Sequence, residues 1–192
     1  DIEMLFDLSE SKEAFYISEF CKKWMLEFET LGVPIVAALN GSALGAGMEL
    51  ALACHYRLSV NNPKVKFGFP EVTLGLLPGG GGITRLVRLL GLEKAMPFLL
   101  EGHQIGPDKA KSDGLIHDTA IDLEDLYKKS REWIFNNPES EQPWHKKGAK
   151  IPGGGPQHPS LVNKLIFAPI LLQKKTWGNY PAAKAIMASA VE

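Results

Sequence analysis

The stretch from Ile35 to Phe69 constrains this 192-residue chain most strongly, because it alternates short apolar runs with turn residues. Ile35 to Leu39 has the length and composition of a buried strand and follows Gly32 and Pro34, which stop the preceding helical pattern. Asn40-Gly41 turns the chain. Ser42 to Gly47 is a loop of small residues, and Met48 to Cys54 consists of good helix formers without a break. Tyr56 to Val60 and Val65 to Phe69 then read as two more strands, closed by Asn61-Asn62-Pro63 and by Pro70. This order of strand, glycine loop, helix, strand and strand is that of an α/β chain.

Before it, Ser9 to Leu31 carries Phe20, Trp24, Phe28 and Leu31 at helical spacing, an aromatic stripe expected to face the core. After it, Leu74 to Gly82 is glycine-rich, and Ile83 to Leu90 resumes a helical pattern that includes Arg85 and Arg88. Helices are expected from Leu92 to Leu100 despite Pro97, from Pro107 to about Gly114, and to about Asn136 behind an N-terminal cap at Asp122 with Asp125. The organisation expected is a core over 1–135, a Pro- and Gly-rich linker over 136–159, and a helical segment over 160–192. That last segment, with a kink at Pro169, carries Leu161, Leu165, Ile166, Ile170 and Leu172 and is expected to pack on another surface.

Charge excludes some partners. With 21 Lys and Arg against 22 Asp and Glu, the net charge of −1 gives no broad basic field for nucleic acid or an anionic membrane. The longest weakly polar stretch, Val33 to Cys54, contains Pro34, Asn40, Gly41 and Glu49 and so breaks into short elements instead of a transmembrane helix. Cys21 and Cys54 are too few for a disulfide framework, which favours a reducing compartment. His55, His103, His117, His145 and His158 show no metal-ligand spacing and read as surface residues; no metal site is expected.

Glu49 is the residue that most invites chemistry. Met48, Leu50, Ala51, Leu52 and Ala53 leave no polar face for its carboxylate, and burying an uncompensated carboxylate costs several kcal/mol. Gly45 and Ala46 stand just before it, so free amides at a helix start point into the same space, an arrangement that can stabilise an oxyanion. An Arg or Lys partner elsewhere is an equal explanation of Glu49. Glu71, in Phe67-Gly-Phe-Pro-Glu-Val-Thr-Leu, is by itself an exposed turn residue; paired with Glu49 in an apolar pocket it could divide acid and base roles. Leu77-Pro-Gly-Gly-Gly-Gly82 either brings backbone amides to a ligand or is a flexible loop. Ser42 lacks the His and Asp of a hydrolase triad.

These residues, in this order, resemble the crotonase, or enoyl-CoA hydratase and isomerase, family. The resemblance runs from Pro34-Ile-Val-Ala-Ala-Leu-Asn-Gly-Ser-Ala-Leu-Gly-Ala-Gly-Met-Glu-Leu-Ala through Phe67-Gly-Phe-Pro-Glu-Val-Thr-Leu-Gly-Leu-Leu-Pro-Gly-Gly-Gly-Gly to Thr84-Arg-Leu and Ala110-Lys-Ser-Asp-Gly-Leu115. The spacer between the two acids and Lys174-Lys-Thr-Trp-Gly-Asn-Tyr-Pro-Ala182 are most similar to the hydratase part of the multifunctional fatty-acid oxidation enzymes.

The resemblance implies a spiral of strand-strand-helix units and a thioester of coenzyme A whose carbonyl oxygen meets two backbone amides. It implies Glu49 and Glu71 as catalytic acids, Ala46 as one oxyanion donor, and Asp1, Ile2, Gly45, Pro70 and Gly79 as substrate-binding residues. Only Asp1-Ile2 of the family's Ala-Gly-Ala-Asp-Ile motif stands in the chain, so the other donor and the opening strands are expected before Asp1, and the chain alone is expected to be poorly stable or inactive. Implied too are hydration of 2-trans-enoyl-CoA without a cofactor, NAD only with a dehydrogenase part, and a homo-oligomer or a complex with a thiolase subunit. The location implied is a bacterial cytoplasm, with the mitochondrial matrix as alternative. Two rival readings stand beside this one: an inactive scaffold module, and a dinucleotide-binding oxidoreductase whose pyrophosphate loop would be Gly41 to Gly47.

Overall fold

The computed structural model describes residues 10–192, so Asp1 and Ile2 lie outside the described residues. Helix α1 (Ser11–Glu29) starts at a reciprocal cap between Glu10 and Glu13. Strands β1 (Val36–Leu39) and β2 (Ala43–Leu44) lead into helix α2 (Ala46–Ala53). Strands β3 (Tyr56–Val60) and β4 (Phe67–Gly68) follow, then a 3-10 turn (Pro70–Leu74) and helices α3 (Gly82–Leu90) and α4 (Leu92–Glu101). The third pass has β5 (Gln104–Ile105), α5 (Pro107–Asp113), β6 (Asp118–Ala120) and α6 (Leu123–Asn136). Helices α7 (Pro159–Thr176) and α8 (Pro181–Val191) come last.

Each pass gives one strand to each of two small sheets, ordered β1-β3-β6 and β2-β4-β5. In the first sheet all pairs are parallel, with Val36 beside Tyr56 and Leu58 beside Asp118. In the second, β2 pairs parallel with β4, while β5 runs antiparallel to β4. The result is a spiral of strand-strand-helix units, reversed in the third pass, where the second-sheet strand comes first. Strand β3 is central and correspondingly buried from Arg57 to Val60. Met48, Leu52, Leu58, Phe67, Phe69, Leu86 and Leu99 are completely buried where helices and sheets meet. Each such side chain contributes about 1.5 to 3 kcal/mol relative to an exposed one.

Val65 to Phe69 makes a shorter strand than its composition predicts, because Val65 is drawn into a turn by donating its amide to the Asn62 carbonyl. Gly68 sits where a Cβ would collide with the His103 carbonyl, so its bare backbone lets β5 approach.

The aromatic stripe of α1 is not core. Phe20, Trp24 and Leu31 are 70%, 48% and 58% exposed, and the helix instead buries Met25 and Glu29. The same helical period runs through both faces, and on the covered one Glu29 has partners that make its burial tolerable. His55 is likewise buried, against its surface reading: its Nδ1 accepts from the Ile35 amide, so Nε2 carries the proton and donates to the Glu29 carbonyl. Burial lowers its pKa and keeps it neutral.

Between α6 and α7 the chain is fastened to the core. Gln142 is fully buried, and its amide nitrogen donates to the carbonyls of Leu52, Ala53 and Cys54 at the end of α2, at 3.3, 3.0 and 3.1 Å. Gln142→Ala is expected to cost about 1 to 3 kcal/mol, read by denaturant unfolding, since it takes this donor from the Leu52 and Ala53 carbonyls, while Cys54 keeps Arg57 Nη1 at 2.8 Å. Helix α8 packs on α3 and α4, burying Ala182, Ala183, Ile186 and Ala190. Helix α7 buries Leu161 and Leu172, whereas Ile166 and Ile170 face solvent.

Candidate active site

The site forms at the start of α2. Gly45 has φ +54°, a backbone state open to glycine, and donates its amide to the Gly68 carbonyl at 3.0 Å. A Cβ on Gly45 would stand 2.9 Å from Glu71 Oε1, so no side chain fits between the helix start and that carboxyl. Met48 and Glu49 donate their amides back to the Gly45 carbonyl. The amides of Ala46 and Gly47, in the first turn, have no intrahelical acceptor, and both residues are exposed. Glu71 Oε1 stands beside this helix start, where the free amides carry partial positive charge.

One turn into the same helix, Glu49 is only 3% exposed. Its Oε1 accepts from the amides of Gly80 and Gly82, each at 2.8 Å. The glycine run therefore turns two of its amides to a carboxylate of this chain. A Cβ on Gly80 would meet Glu49 Oε2 and Met25 at 2.9 Å, and one on Gly82 would meet the Glu49 Cγ at 2.7 Å. Burial holds the Glu49 pKa above the ordinary carboxylate value, and the Gly82 and Gly80 amides and the charge of Arg85 offset only part of that rise.

Glu71 lies in the first turn of the 3-10 segment, after Pro70. Its Oε2 is buried and has no hydrogen-bond partner among the described residues. Burial pushes its pKa up to about 7, partly offset by its own backbone amide, and the negative charge of Glu49 pushes the same way. Two carboxyls thus share one neighbourhood with unlike support: Glu49 accepts from two amides of the glycine run, and Glu71 has only its own backbone amide. This arrangement can divide into one proton acceptor and one proton donor beside a free helix start.

The raised Glu71 pKa has a consequence for stability. The folded state keeps the proton at pH values where the unfolded carboxyl, near 4.5, has lost it, so stability falls as pH rises from about 4.5 to about 7. Glu71→Gln is expected to flatten that fall, seen as a smaller drop in Tm between about pH 5 and about pH 8.

Of the residues marked in the sequence, Glu49, Glu71, Gly45, Ala46 and Pro70 come together here. Gly79 borders the site at one remove; its carbonyl accepts from the Ser18 hydroxyl at 2.8 Å. The pyrophosphate-loop reading of Gly41 to Gly47 fails, since Ala43–Leu44 pairs with Phe67–Gly68 as strand β2 and is not a free turn. Sequence reasoning missed the partners of Glu49. Arg85 was visible as a cation beside the apolar Ile83, Leu86 and Val87, whereas nothing marked Glu29 among the other acids of α1. Among the described residues no cluster of His, Cys, Asp and Glu could hold a metal ion, and no helix is long and apolar enough to cross a membrane.

The sequence profile of the family described as enoyl-CoA hydratase/isomerase matches residues 1–142. The fatty acid oxidation complex subunit alpha of Shewanella halifaxensis is 40% identical over 189 residues, and that of Shewanella loihica 37% over 189. These matches cover 97% of this chain but 26% of either relative, so the chain spans about a quarter of their length. Among solved structures, an enoyl-CoA hydratase from Geobacillus kaustophilus superposes with TM-score 0.66 at 30% identity, covering 71% of this chain and 51% of that one. An enoyl-CoA hydratase from Bacillus anthracis superposes with TM-score 0.61 at 27% identity, covering 95% of this chain and 63% of that one.

Proposed function

Because the chain belongs to the enoyl-CoA hydratase/isomerase family, we propose that it carries the hydratase site of a larger fatty-acid oxidation enzyme and adds water to 2-trans-enoyl-CoA thioesters. The observation that carries this reading is the unlike support of two neighbouring carboxyls, Glu49 on two amides and Glu71 on none but its own, at one helix start.

Hydration needs a base, an acid and a place for negative charge. Glu49 takes a proton from water as its oxygen attacks the β carbon. Electron density moves through the α carbon to the thioester oxygen, where the Ala46 amide donates to the developing enolate. Glu71 then gives its proton to the α carbon, so the elements of one water end on the two carbons. Both carboxyls are restored by proton exchange with solvent. A fixed donor of the Ala46 kind is worth about 3 kcal/mol of barrier.

Gly45 and Pro70 contribute by shape: one keeps room for the Glu71 carboxyl and the other fixes the backbone before it. Asp1, Ile2 and Gly79 remain assigned to substrate binding. No cofactor takes part in these steps, and NAD enters only with a dehydrogenase part. An accompanying Δ3-Δ2 isomerase activity, a homo-oligomer or thiolase partner, and a bacterial cytoplasmic location belong to the same reading; the name of the Shewanella relatives, fatty acid oxidation complex subunit alpha, supports only that such a chain works within a complex. The test is hydration of a short enoyl-CoA by the intact protein, followed by loss of its conjugated absorbance. Steady loss supports the reading; none under conditions where the protein is folded overturns it.

A further inference from the structure

Glu49 is held by backbone, and that backbone is itself held. The carbonyl of Gly80 accepts from Arg85 Nη1 at 3.0 Å, while its amide donates to Glu49 at 2.8 Å. The Gly79 carbonyl, in the same peptide unit as the Gly80 amide, is fixed by Ser18. Arg85 is nearly buried and pairs through Nε with the carboxylate of Glu29, whose side chain is 2% exposed. The other Glu29 oxygen accepts from Trp144 Nε1 at 3.2 Å and pairs with His145 Nε2 at 3.0 Å. A chain of contacts therefore runs from the 142–145 segment through α1 and α3 into the glycine run and ends on the base.

From this continuity we infer that Arg85, anchored by Glu29, is a positioning residue for Glu49, setting the direction of its carboxylate. The inference rests on the hydratase reading given above. Two features separate it from a bond that only stabilises the fold. Arg85 Nη1 reaches the carbonyl of Gly80, between the two peptide units whose amides serve Glu49, so it holds the backbone from which the Gly80 and Gly82 amides are aimed. It also brings the positive charge that acts on Glu49. A carboxylate must be held to within about half an ångström for proton transfer, and such support comes from groups behind it.

Among the described residues, the charged and titratable groups around this line include Lys22, whose side chain comes near Gly81. Glu49 is faced by Arg85 from α3 and by Glu71 from the 3-10 turn. Behind Arg85 stand Glu29 from α1 and His145 from the segment before α7, with His55 against the Glu29 carbonyl and Arg57 beyond it. Of these, Arg85 is the cation that acts on Glu49.

Two variants of the intact protein separate geometry from charge. Arg85→Lys keeps a cation beside Glu29 but gives up the fork that reaches Gly80; kcat is expected to fall about tenfold or more, with KM little changed and the acid limb of the rate profile in place. The double variant Glu29→Gln with Arg85→Gln removes both charges without stranding either one in the interior. It is expected to lose kcat to a similar degree and to move the acid limb to higher pH. Glu49→Gln serves as reference: if it hydrates at the normal rate, the hydratase reading itself falls. If Glu49→Gln is impaired while the folded Arg85 variants keep normal kcat and an unmoved acid limb, Arg85 is merely structural and the inference is overturned. A double variant that fails to fold leaves Arg85→Lys to decide, and normal kcat there overturns it equally.

Discussion

Glu49→Gln is expected to lower the rate of enoyl-CoA hydration at least about 100-fold, the usual loss for a positioned base, or about 2.7 kcal/mol of barrier. An amide can still accept from Gly80 and Gly82 through its oxygen, so the fold should survive the change. What it cannot do is take the proton from water. KM should change less than kcat, because the base acts on the transition state. Steady-state kinetics on a short enoyl-CoA reads both numbers, and near-normal kcat would remove Glu49 from its role.

Glu71→Gln is expected to cost at least about as much, by a different route. With a pKa raised to about 7, Glu71 is about half protonated at neutral pH and serves as the donor to the α carbon. In the unmodified protein the rate should fall as pH rises through that value, because the acid is lost. In Glu71→Gln the remaining rate should be flat over the same range. The substitution should meanwhile raise stability on the alkaline side, so activity and Tm move in opposite directions. A parallel loss of both would indicate damage to the fold instead of loss of an acid.

Much of this site could be read from the chain because its key residues violate local patterning. Glu49 stands in an otherwise apolar helix and Glu71 between apolar neighbours, and each marks a carboxyl that must be supported by something distant. The small-residue loop before α2 announced the free helix start, and Asp122 announced its cap, with its side chain accepting from the Asp125 amide at 2.8 Å. What supports Glu49 was not legible. Gly80 and Gly82 lie more than thirty residues away in sequence, and Arg85 meets Glu29 across a separation of 56. Such pairings are fixed by how three helices stack, which no local pattern encodes.

The fold divides in the same way. Strands with apolar composition, such as Tyr56–Val60, were visible, whereas Gln104–Ile105 and Asp118–Ala120 are too short and polar to declare themselves and exist through their ladder partners. The stripe of Phe20, Trp24 and Leu31 misled because periodicity reports a helix without saying which face is covered. In α1 the covered face is the one that carries Glu29, and the ion pair with Arg85 makes its burial tolerable.

The division of labour between the two carboxyls is tested most directly by the pH dependence of kcat/KM for hydration, measured in the intact protein and in each Glu→Gln variant. The account predicts a bell whose alkaline limb falls near pH 7, with that limb absent from Glu71→Gln and the acid limb absent from Glu49→Gln. An alkaline limb that persists unchanged in Glu71→Gln would contradict it.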